Sequence, residues 1–365
     1  MFPLSIFSKP TLIFLQKLWL KMALERVLVH YDFLAGRFKL NPQSGRLEID
    51  CNSAELVSWW LLQSVRLMSW VTSFKCGGFS IGMSMNHVLL DSVSAQIFIE
   101  NLATQAFYDK PLAIIPCNDR HLLAARSPPH GEFPHPELFE LDLPAGMGPL
   151  VLNFKGEESD YTVFSLTSDA INYLKDKATE SISSTTSKIT VFSVVAALMW
   201  RCKALSNYTE HNKARVSTLL NVVDLRSRLN PPLPNSYCGN AILGAASSAT
   251  CEDIEKWPFS RMVEMVVEAP ERVTDEYAKS VIDCLEINKR PLRVEYMVNS
   301  WLRMRFGEVV YPWGKPVHSG PVVSHMKEAC WIFPDVDGVN ALVSLPAKEM
   351  KDSWPAFVSS STIHH

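Results

Sequence analysis

The stretch Asn86-His87-Val88-Leu89-Leu90-Asp91-Ser92 joins a predicted strand to a predicted helix. Before it, residues 79–85 alternate large apolar and small polar side chains, which is the period-two pattern of a strand with one packed face. After it, residues 93–107 have the composition of a helix. His87 and Asp91 therefore lie where a strand turns into a helix, and such a rigid position suits the presentation of a reactive imidazole.

The composition of the whole chain bounds the classes of protein to be considered. It has 365 residues, of which 47% are hydrophobic, so it can bury one large core or two smaller ones. The formal net charge is -3, which implies no broad basic surface. We therefore expect no nucleic-acid partner.

The cysteines and the beginning of the chain bear on the compartment. Eight cysteines are scattered without a C-x-x-C pair, which argues against a zinc ribbon or a disulfide framework and favours reduced thiols in the cytoplasm. Residues 1–20 are apolar but contain Lys9, Pro10 and Lys17, and no uninterrupted run approaches the ~18 apolar residues that span a bilayer. Since no small-residue cleavage site follows, we expect a cytoplasmic protein without a transmembrane segment.

The first part of the chain is predicted to mix helices and strands. Residues 18–29 have the spacing of an amphipathic helix. Asn41-Pro42-Gln43-Ser44-Gly45 is turn sequence between two strand-like runs, which predicts a hairpin. The apolar residues 57–70 are predicted to form one helix.

Prolines are dense between residues 111 and 149, which predicts an irregular segment and the crossover between two domains, 1–150 and 151–365. Strands and helices mix without a strict βαβ rhythm, which favours a mixed-sheet, two-domain α/β protein. The elements expected in the second half are strands at 161–166, 216–223 and 296–303 and a hairpin at 335–338. Helices are expected to begin at Thr167 or Ser168 and at Thr190, and residues 253–287 are expected to be mostly helical.

The longer run around the strand-to-helix turn resembles a known family. Residues 74–91 read FKCGGFSIGMSMNHVLLD, which resembles the HxxxD signature of the plant BAHD acyltransferases, enzymes that move an acyl group from coenzyme A to an alcohol or amine. Residues 30–37 are similar to the family's H-Y-x-x-L-A-G-R segment, and Asn299-Ser300-Trp301 resembles its T/S-S-W segment. The resemblance points to members that join hydroxycinnamoyl-CoA to fatty alcohols or ω-hydroxy fatty acids.

The resemblance implies a fold, a reaction and its substrates. The fold is the two-domain, chloramphenicol-acetyltransferase-like type, with a mixed sheet and helices in each domain and an active-site channel between the domains. The implied function is acyl-CoA-dependent O-acyl transfer in plant secondary metabolism. Acyl-CoA is then a co-substrate, an alcohol is the acceptor, no cofactor is permanently bound, and a monomer is expected.

His87 is the expected general base. A histidine at a strand end is by itself more often structural, and the resemblance reverses that weighting. An alcohol is a poor nucleophile until a base takes its proton, and an imidazole with an unperturbed pKa of about 6.5 suits this role at neutral pH. Because the thiolate of coenzyme A then leaves readily, no covalent enzyme intermediate is needed.

Asp91 is expected to stabilise the site and not to react. In the family this aspartate points away from the site and pairs with an arginine, for which Arg226 and Arg228 are the candidates in this chain. An N-cap of the following helix is an equally good and compatible interpretation. His87 and Asp91 alone are too few ligands for a metal ion, so no metal site is expected.

Asn299 and Trp301 are the second pair of site candidates. The corresponding segment of the family lies beside the reacting carbonyl, so the Asn299 amide or the Trp301 indole N–H is expected to donate a hydrogen bond to the tetrahedral oxyanion. A tryptophan packed in the core is the alternative for Trp301, and it carries about equal weight.

Two motifs depart from the family. Ser92 replaces the family's glycine after the aspartate, which costs roughly 1–2 kcal/mol if that position needs a positive φ. The family's D-F-G-W-G-K-P is Val310-Tyr311-Pro312-Trp313-Gly314-Lys315-Pro316 in this chain. That motif is structural in the family, so Trp313 and Gly314 are assigned a structural role, and the changes put the order of this loop in question.

The chain is also shorter than the members of the family. The resemblance is expected to begin near Leu24, without the strand and helix that come first in the family, and the segment between Asp50 and Phe74 is shortened. This predicts an exposed sheet edge, marginal stability and weak or no activity. The alternative function is therefore a non-catalytic BAHD-like protein that binds an acyl-CoA or a lipid-synthesis partner, or an inactive truncated product.

Overall fold

The chain divides into two compact units in the computed structural model. The first unit comprises Met1–Leu122, Pro234–Ala241 and Met304–Ser324, and the second comprises Leu123–Leu233, Ile242–Arg303 and His325–His365. The predicted boundary at residue 150 lies outside the described residues. The structure describes residues 2–7, 13–43, 45–51, 67–107, 110–135, 139–140, 159–180, 189–206, 208–288, 292–293, 296–322 and 328–351.

Helices and strands alternate irregularly along the described chain. The helices are α1 (Ile13–Leu28), α2 (Asp32–Ala35), α3 (Ser92–Gln105), α4 (Ser168–Thr179), α5 (Val191–Leu205), α6 (Cys251–Lys256), α7 (Phe259–Glu268) and α8 (Asp275–Ile287). The strands are β1 (Phe2–Phe7), β2 (Arg37–Leu40), β3 (Leu47–Asp50), β4 (Leu67–Ser73), β5 (Phe79–Met85), β6 (Phe139–Glu140), β7 (Ser159–Leu166), β8 (Val216–Asp224), β9 (Ile242–Thr250), β10 (Leu292–Arg293), β11 (Tyr296–Ser300), β12 (His318–Val322), β13 (Ala329–Asp335) and β14 (Gly338–Pro346).

The first unit contains a four-stranded antiparallel sheet with the strand order β12-β1-β5-β4. The strand that leads to His87 is β5, and its residues Phe79, Ile81, Met83 and Met85 are buried. Ser80 and Gly82 are buried as well, so the strand is covered on both faces, whereas the alternating pattern predicts one packed face. The helix that follows the turn is α3, which packs against α1. The predicted strand and helix on either side of His87 are confirmed.

The strand β1 corrects the expectation that the chain lacks a first strand. It pairs with β5 from Leu4↔Gly82 to Phe7↔Phe79, and with β12 on its other side. The rings of Phe7 and Phe79 stack with their centroids 4.8 Å apart. Because β5 has β1 on one side and β4 on the other, the predicted exposed edge does not occur at the strand that leads to His87.

The prediction of a helix over residues 57–70 is wrong for residues 67–70, which belong to a strand. Residues 57–66 lie in a part of the chain that the structure does not describe. The strand β4 begins at Leu67 and pairs with β5 as far as Ser73↔Phe79. Trp70 lies opposite Gly82, where a Cβ would come within 2.1 Å of the indole ring. An apolar run fits either a helix or a strand, and the pairing with β5 decides for the strand.

The predicted hairpin is confirmed as β2 and β3, which pair from Arg37↔Asp50 to Leu40↔Leu47. Its turn places Gly45 at a φ of +65°, a conformation that glycine adopts without a steric penalty. Residues 32–35 form the short helix α2, which comes directly before β2.

The second unit contains a six-stranded mixed sheet with the strand order β7-β14-β13-β11-β8-β9. Strand β11 runs parallel to β13 and β8, and the other pairs are antiparallel. Helix α5 lies in the core, where Val194 and Trp200 are fully buried. The side chains of Thr167 and Thr190 cap α4 and α5, so both predicted caps are confirmed.

The strand predicted over 296–303 ends earlier, at Ser300. Trp301 still donates its main-chain N–H to the carbonyl of Ile332 in β13 at 2.7 Å, and the chain then turns. The predicted hairpin at 335–338 is confirmed, with Gly338 at a φ of +111°. The predicted helical region from residue 253 to 287 is confirmed as α6, α7 and α8.

The proline-rich segment is irregular over residues 110–135, and its described residues 139–140 form the short strand β6, which pairs with β10. Residues 110–135 contain a short 3-10 turn at Arg120–Leu123 and otherwise follow an extended, bent path. In the second unit this segment is anchored on α8, where the buried carboxylate of Asp283 accepts main-chain hydrogen bonds from Arg126 and His130 at 2.8 and 3.1 Å. The expectation of irregular structure is therefore confirmed over residues 111–135.

Candidate active site

The turn after β5 presents His87 to solvent. The side-chain oxygen of Asn86 accepts the main-chain N–H of Val88 at 3.0 Å, and its carbonyl accepts that of Leu89 at 3.0 Å. These two bonds close a tight turn with His87 inside it, and His87 is exposed. A short side chain that bonds its own backbone two residues on is a common way to fix a turn, so the position of His87 is set locally.

Asp91 lies at the opposite end of the turn and is 1% exposed. It is the N-cap of α3, since Oδ1 accepts the main-chain N–H of Ser94 at 2.8 Å. Its other oxygen, Oδ2, accepts the main-chain N–H of Ala241 at 2.9 Å. Both carboxylate oxygens therefore bind backbone donors, which agrees with the N-cap interpretation and gives Asp91 a structural task.

A second segment of the first unit, residues 237–241, is hydrogen-bonded to this turn and to the start of α3. The Ser94 hydroxyl donates to the Gly239 carbonyl at 2.9 Å, and the Gly239 N–H lies 3.0 Å from the same hydroxyl oxygen. Asn240 donates its Nδ2–H to the main-chain carbonyl of His87 at 2.6 Å. Sequence reasoning missed Asn240, and no local pattern marks it, because 153 positions separate it from His87.

The pKa of the His87 imidazole is lowered from its usual value of 6.5. The largest cause is desolvation by the surrounding protein, although the residue keeps exposed surface. The main-chain carbonyl of His87, the charge of Asp91 and the Asn240 carboxamide each raise the pKa and oppose that effect. The net result is an imidazole that is neutral at pH 7, as a proton acceptor must be.

Asn299 and Trp301 belong to the second unit. Asn299 is half-buried in β11, in register with Trp331 of β13. Trp301 follows the end of that strand and is 4% exposed. The two residues are thus held at the end of one central strand, and their roles toward a substrate stay a prediction.

The two candidate arginines also lie in the second unit. Arg226 is 6% exposed and donates Nη1–H to the side chain of Asp224 at 3.0 Å. Arg228 is half-buried and donates to the carbonyls of Pro270 and Val273 at 2.8 and 3.0 Å. A pair between Asp91 and either arginine stays a prediction.

The altered motif in the first unit forms a defined turn. Main-chain bonds link Tyr311 and Gly314 in both directions, at 3.1 and 2.9 Å, and Gly314 has a φ of +108°. Trp313 is buried and stacks on Tyr311 with centroids 5.2 Å apart, while its edge meets Phe7 and Phe79. The loop is therefore ordered despite the loss of the family's aspartate and first glycine, and it packs on the strand that leads to His87.

Ser92 does not require the backbone freedom of glycine. It is the first residue of α3, and among the described residues Glu328 is the one non-glycine at positive φ. The strain that a positive φ would have imposed on Ser92 is consequently absent.

Two classes of site are not found in the part of the chain that the structure describes. Over these ranges, no group of three or more His, Cys, Asp or Glu side chains is placed to hold a metal ion. None of the helices formed by these residues combines the length and apolar character that a bilayer crossing requires.

Comparison with solved structures shows the fold. Vinorine synthase superimposes with a TM-score of 0.71 at 20% identity, over 96% of this chain and 88% of that one. TRI101 of F. sporotrichioides, solved with coenzyme A and T-2, gives a TM-score of 0.74 at 15% identity, over 96% and 92% of the two chains. The two-domain α/β fold predicted from the sequence is confirmed.

Comparison with curated proteins finds plant relatives that span most of the chain. Acyltransferase GLAUCE of Arabidopsis thaliana is 43% identical over 91% of this chain and 82% of its own length. The fatty alcohol:caffeoyl-CoA acyltransferase and the omega-hydroxypalmitate O-feruloyl transferase of the same plant are each 31% identical over 91% of this chain, which spans 84% and 79% of their lengths.

The model of the Transferase family matches residues 4–57 and 63–354. The match begins at residue 4, so the expectation that the resemblance starts near Leu24 is wrong, and β1 and α1 lie inside it. The chain belongs to the Transferase family of BAHD acyl-CoA-dependent acyltransferases.

Proposed function

We propose that this chain transfers a hydroxycinnamoyl group from coenzyme A to the hydroxyl of a fatty alcohol or an ω-hydroxy fatty acid, with His87 as the general base. The observation that carries the proposal is an exposed, neutral imidazole held at a rigid strand-to-helix turn in a member of this family. The substrate class rests on the two Arabidopsis relatives that are named for such reactions.

The proposed reaction runs through one tetrahedral intermediate. The neutral His87 imidazole takes the proton of the acceptor hydroxyl, and the oxygen attacks the thioester carbonyl. The carbonyl oxygen becomes an oxyanion, for which the Asn299 amide or the Trp301 indole N–H is the proposed donor. The C–S bond then breaks, and the imidazolium returns its proton to the departing coenzyme A thiolate. The ester and free coenzyme A are the products, and acyl-CoA is a co-substrate with no resident cofactor.

The proposal includes a supporting ion pair for the turn. A buried carboxylate is stable only when it is paired or fully hydrogen-bonded, and a buried guanidinium has the same requirement. Asp91 and Arg226 are both almost fully buried, whereas Arg228 is half-buried. We propose Arg226 or Arg228 as the partner of Asp91, as the family resemblance implies. The proposal keeps a monomer in the cytoplasm, in line with the eight free cysteines.

The experiment is a substrate panel with thiol release as the readout. Purified protein is incubated with caffeoyl-CoA, feruloyl-CoA or acetyl-CoA, each with hexadecanol, ω-hydroxypalmitate or shikimate. We expect thiol release with the two hydroxycinnamoyl donors and a long-chain alcohol, and mass spectrometry should find the ester. Release only with acetyl-CoA or shikimate would overturn the proposed substrates while leaving acyl transfer intact.

The same panel tests the alternative of a non-catalytic binding protein. A chain that binds the hydroxycinnamoyl-CoA donors in isothermal calorimetry but releases no thiol with any acceptor would support that alternative.

The Trp301→Phe variant keeps the bulk of the ring and removes its N–H. It should lower kcat with little change in KM if the indole serves the oxyanion, and unchanged turnover would assign Trp301 to packing.

A further inference from the structure

The carboxamide of Asn240 lies against the turn after β5 that holds His87, but it has no part in the chemistry described so far. Its Nδ2–H donates to the main-chain carbonyl of His87 at 2.6 Å, the shortest bond between residues 237–241 and the turn. Its Oδ1 is buried and has no hydrogen-bond partner of regular geometry among the described residues. A buried amide oxygen without such a partner normally costs free energy, so a task for it near the imidazole is expected.

Residues next to Asn240 fix its position from both sides. The Gly239 N–H and carbonyl both bond the Ser94 hydroxyl, and the Ala241 N–H bonds Asp91. The backbone of Asn240 therefore cannot move away from the turn without breaking contacts to the first turn of α3, and its carboxamide is held to the turn by the bond to the His87 carbonyl. This rigidity is what a group needs if it is to orient a reacting side chain.

The main-chain carbonyl of His87 is the atom through which Asn240 acts. That carbonyl also raises the pKa of its own imidazole, which is the effect of an acceptor close to a ring N–H. The carboxamide of Asn240 has the same effect on the ring. An acceptor on one ring nitrogen fixes the tautomer and leaves the lone pair of the other nitrogen for the substrate.

We propose that Asn240 is a positioning residue, which holds the carbonyl of His87 and the proximal ring nitrogen so that the distal nitrogen, Nε2, is presented as the base. This inference rests on the proposed role of His87. Asn240 itself touches no reacting atom. It acts through the orientation and tautomer of the imidazole.

The two substitutions Asn240→Ala and Asn240→Asp make opposite predictions. Asn240→Ala removes a group that raises the pKa of His87, so the acid limb of kcat/KM should move to lower pH. Asn240→Asp places a carboxylate beside the ring, so the acid limb should move to higher pH. In both variants kcat should fall about 10- to 100-fold at the optimum with KM nearly unchanged, by analogy with the loss of partners that orient metal-binding histidines.

Asn101→Ala is the matched control. Asn101 is a fully buried asparagine of the same unit, and it also clamps a main-chain carbonyl, that of Ile114, at 2.7 Å. Its loss should lower the melting temperature and leave the acid limb of the pH profile where it is. If Asn240 had only a structural role, its two variants would also lower the melting temperature and leave the acid limb in place. A positioning role instead moves the acid limb to lower pH in Asn240→Ala and to higher pH in Asn240→Asp.

A readout without turnover keeps this inference separate from the proposed function. Diethyl pyrocarbonate modifies the unprotonated imidazole, so its rate of reaction with His87 as a function of pH, followed by mass spectrometry of the peptide, reports the pKa of that residue. We expect a lower pKa in Asn240→Ala and a higher one in Asn240→Asp, with Asn101→Ala like the parent. If both Asn240 variants titrate like the parent, the inference is wrong, even if the enzyme is active; if they shift in an inactive protein, it stands and the proposed function fails.

Discussion

Replacing Asp91 by alanine should loosen α3 far more than the loss of an ordinary helix cap. Asp91 is 1% exposed, and its carboxylate accepts the N–H groups of Ser94 and Ala241 at 2.8 and 2.9 Å. Loss of an N-cap costs about 1 kcal/mol. The Ala241 N–H is then left buried without its acceptor, which costs a further ~1–3 kcal/mol. The expected total for Asp91→Ala is about 2–4 kcal/mol.

The control is Thr167→Ala, which removes a cap and nothing else. Thr167 is exposed, and its side chain accepts the N–H of Ala170 at the start of α4 at 3.2 Å. This variant should lose about 1 kcal/mol. Asp91→Asn should fall between the two, because it keeps an acceptor for Ser94 and loses the one for Ala241.

The assay is hydrogen–deuterium exchange of the peptides that cover residues 92–105 and 168–179, so that each free energy of opening belongs to one helix. Circular dichroism melting of the same samples shows whether the rest of the chain is folded. The reasoning is refuted if α3 in Asp91→Ala opens no more readily than α4 in Thr167→Ala. A stable Asp91→Ala protein that loses turnover alone would instead assign Asp91 a catalytic role.

Three further predictions follow from the first unit. Gly82→Ala should destabilise the protein by about 1–3 kcal/mol, because the new methyl meets the Trp70 ring at 2.1 Å, and the cost should largely vanish in a Trp70→Ala background; an equal cost in both backgrounds would contradict this. Tyr311→Phe should leave urea stability unchanged or raise it by up to ~1 kcal/mol, since the buried hydroxyl has no hydrogen-bond partner among the described residues, and a clear loss would show that it does have one. The lowered pKa of His87 predicts that kcat/KM falls on the acid side with a midpoint below pH 6.5 and is level above it, and a midpoint above 6.5 would contradict the desolvated imidazole.

Local signals in the sequence were enough to predict several elements of each unit. The alternation of Phe79 to Met85 is a strand pattern, the turn sequence at Asn41 marks a hairpin, and Thr167 and Thr190 are good caps. These features depend on neighbours within a few residues. The strand β4 was missed because its apolar run fits either periodicity, and only its pairing with β5 distinguishes them.

The supports of the site could not be predicted in the same way. The contact between Asn240 and His87 spans 153 positions, and that between Ala241 and Asp91 spans 150. Neither leaves a periodic pattern, since each consists of one hydrogen bond between segments that the fold brings together. The cost expected for Ser92 depended on a backbone angle that sequence does not show, and the start of α3 at that residue removes it.

The most direct test of the account is the turnover of His87→Ala. With hydroxycinnamoyl-CoA and a long-chain alcohol, its thiol release should be ~10²–10⁴-fold slower than that of the parent, with the fold and the binding of coenzyme A nearly intact. The exposed His121 of the same unit provides the control, and His121→Ala should keep the parental rate. An alanine variant at residue 87 that is as active as the parent would contradict the central claim.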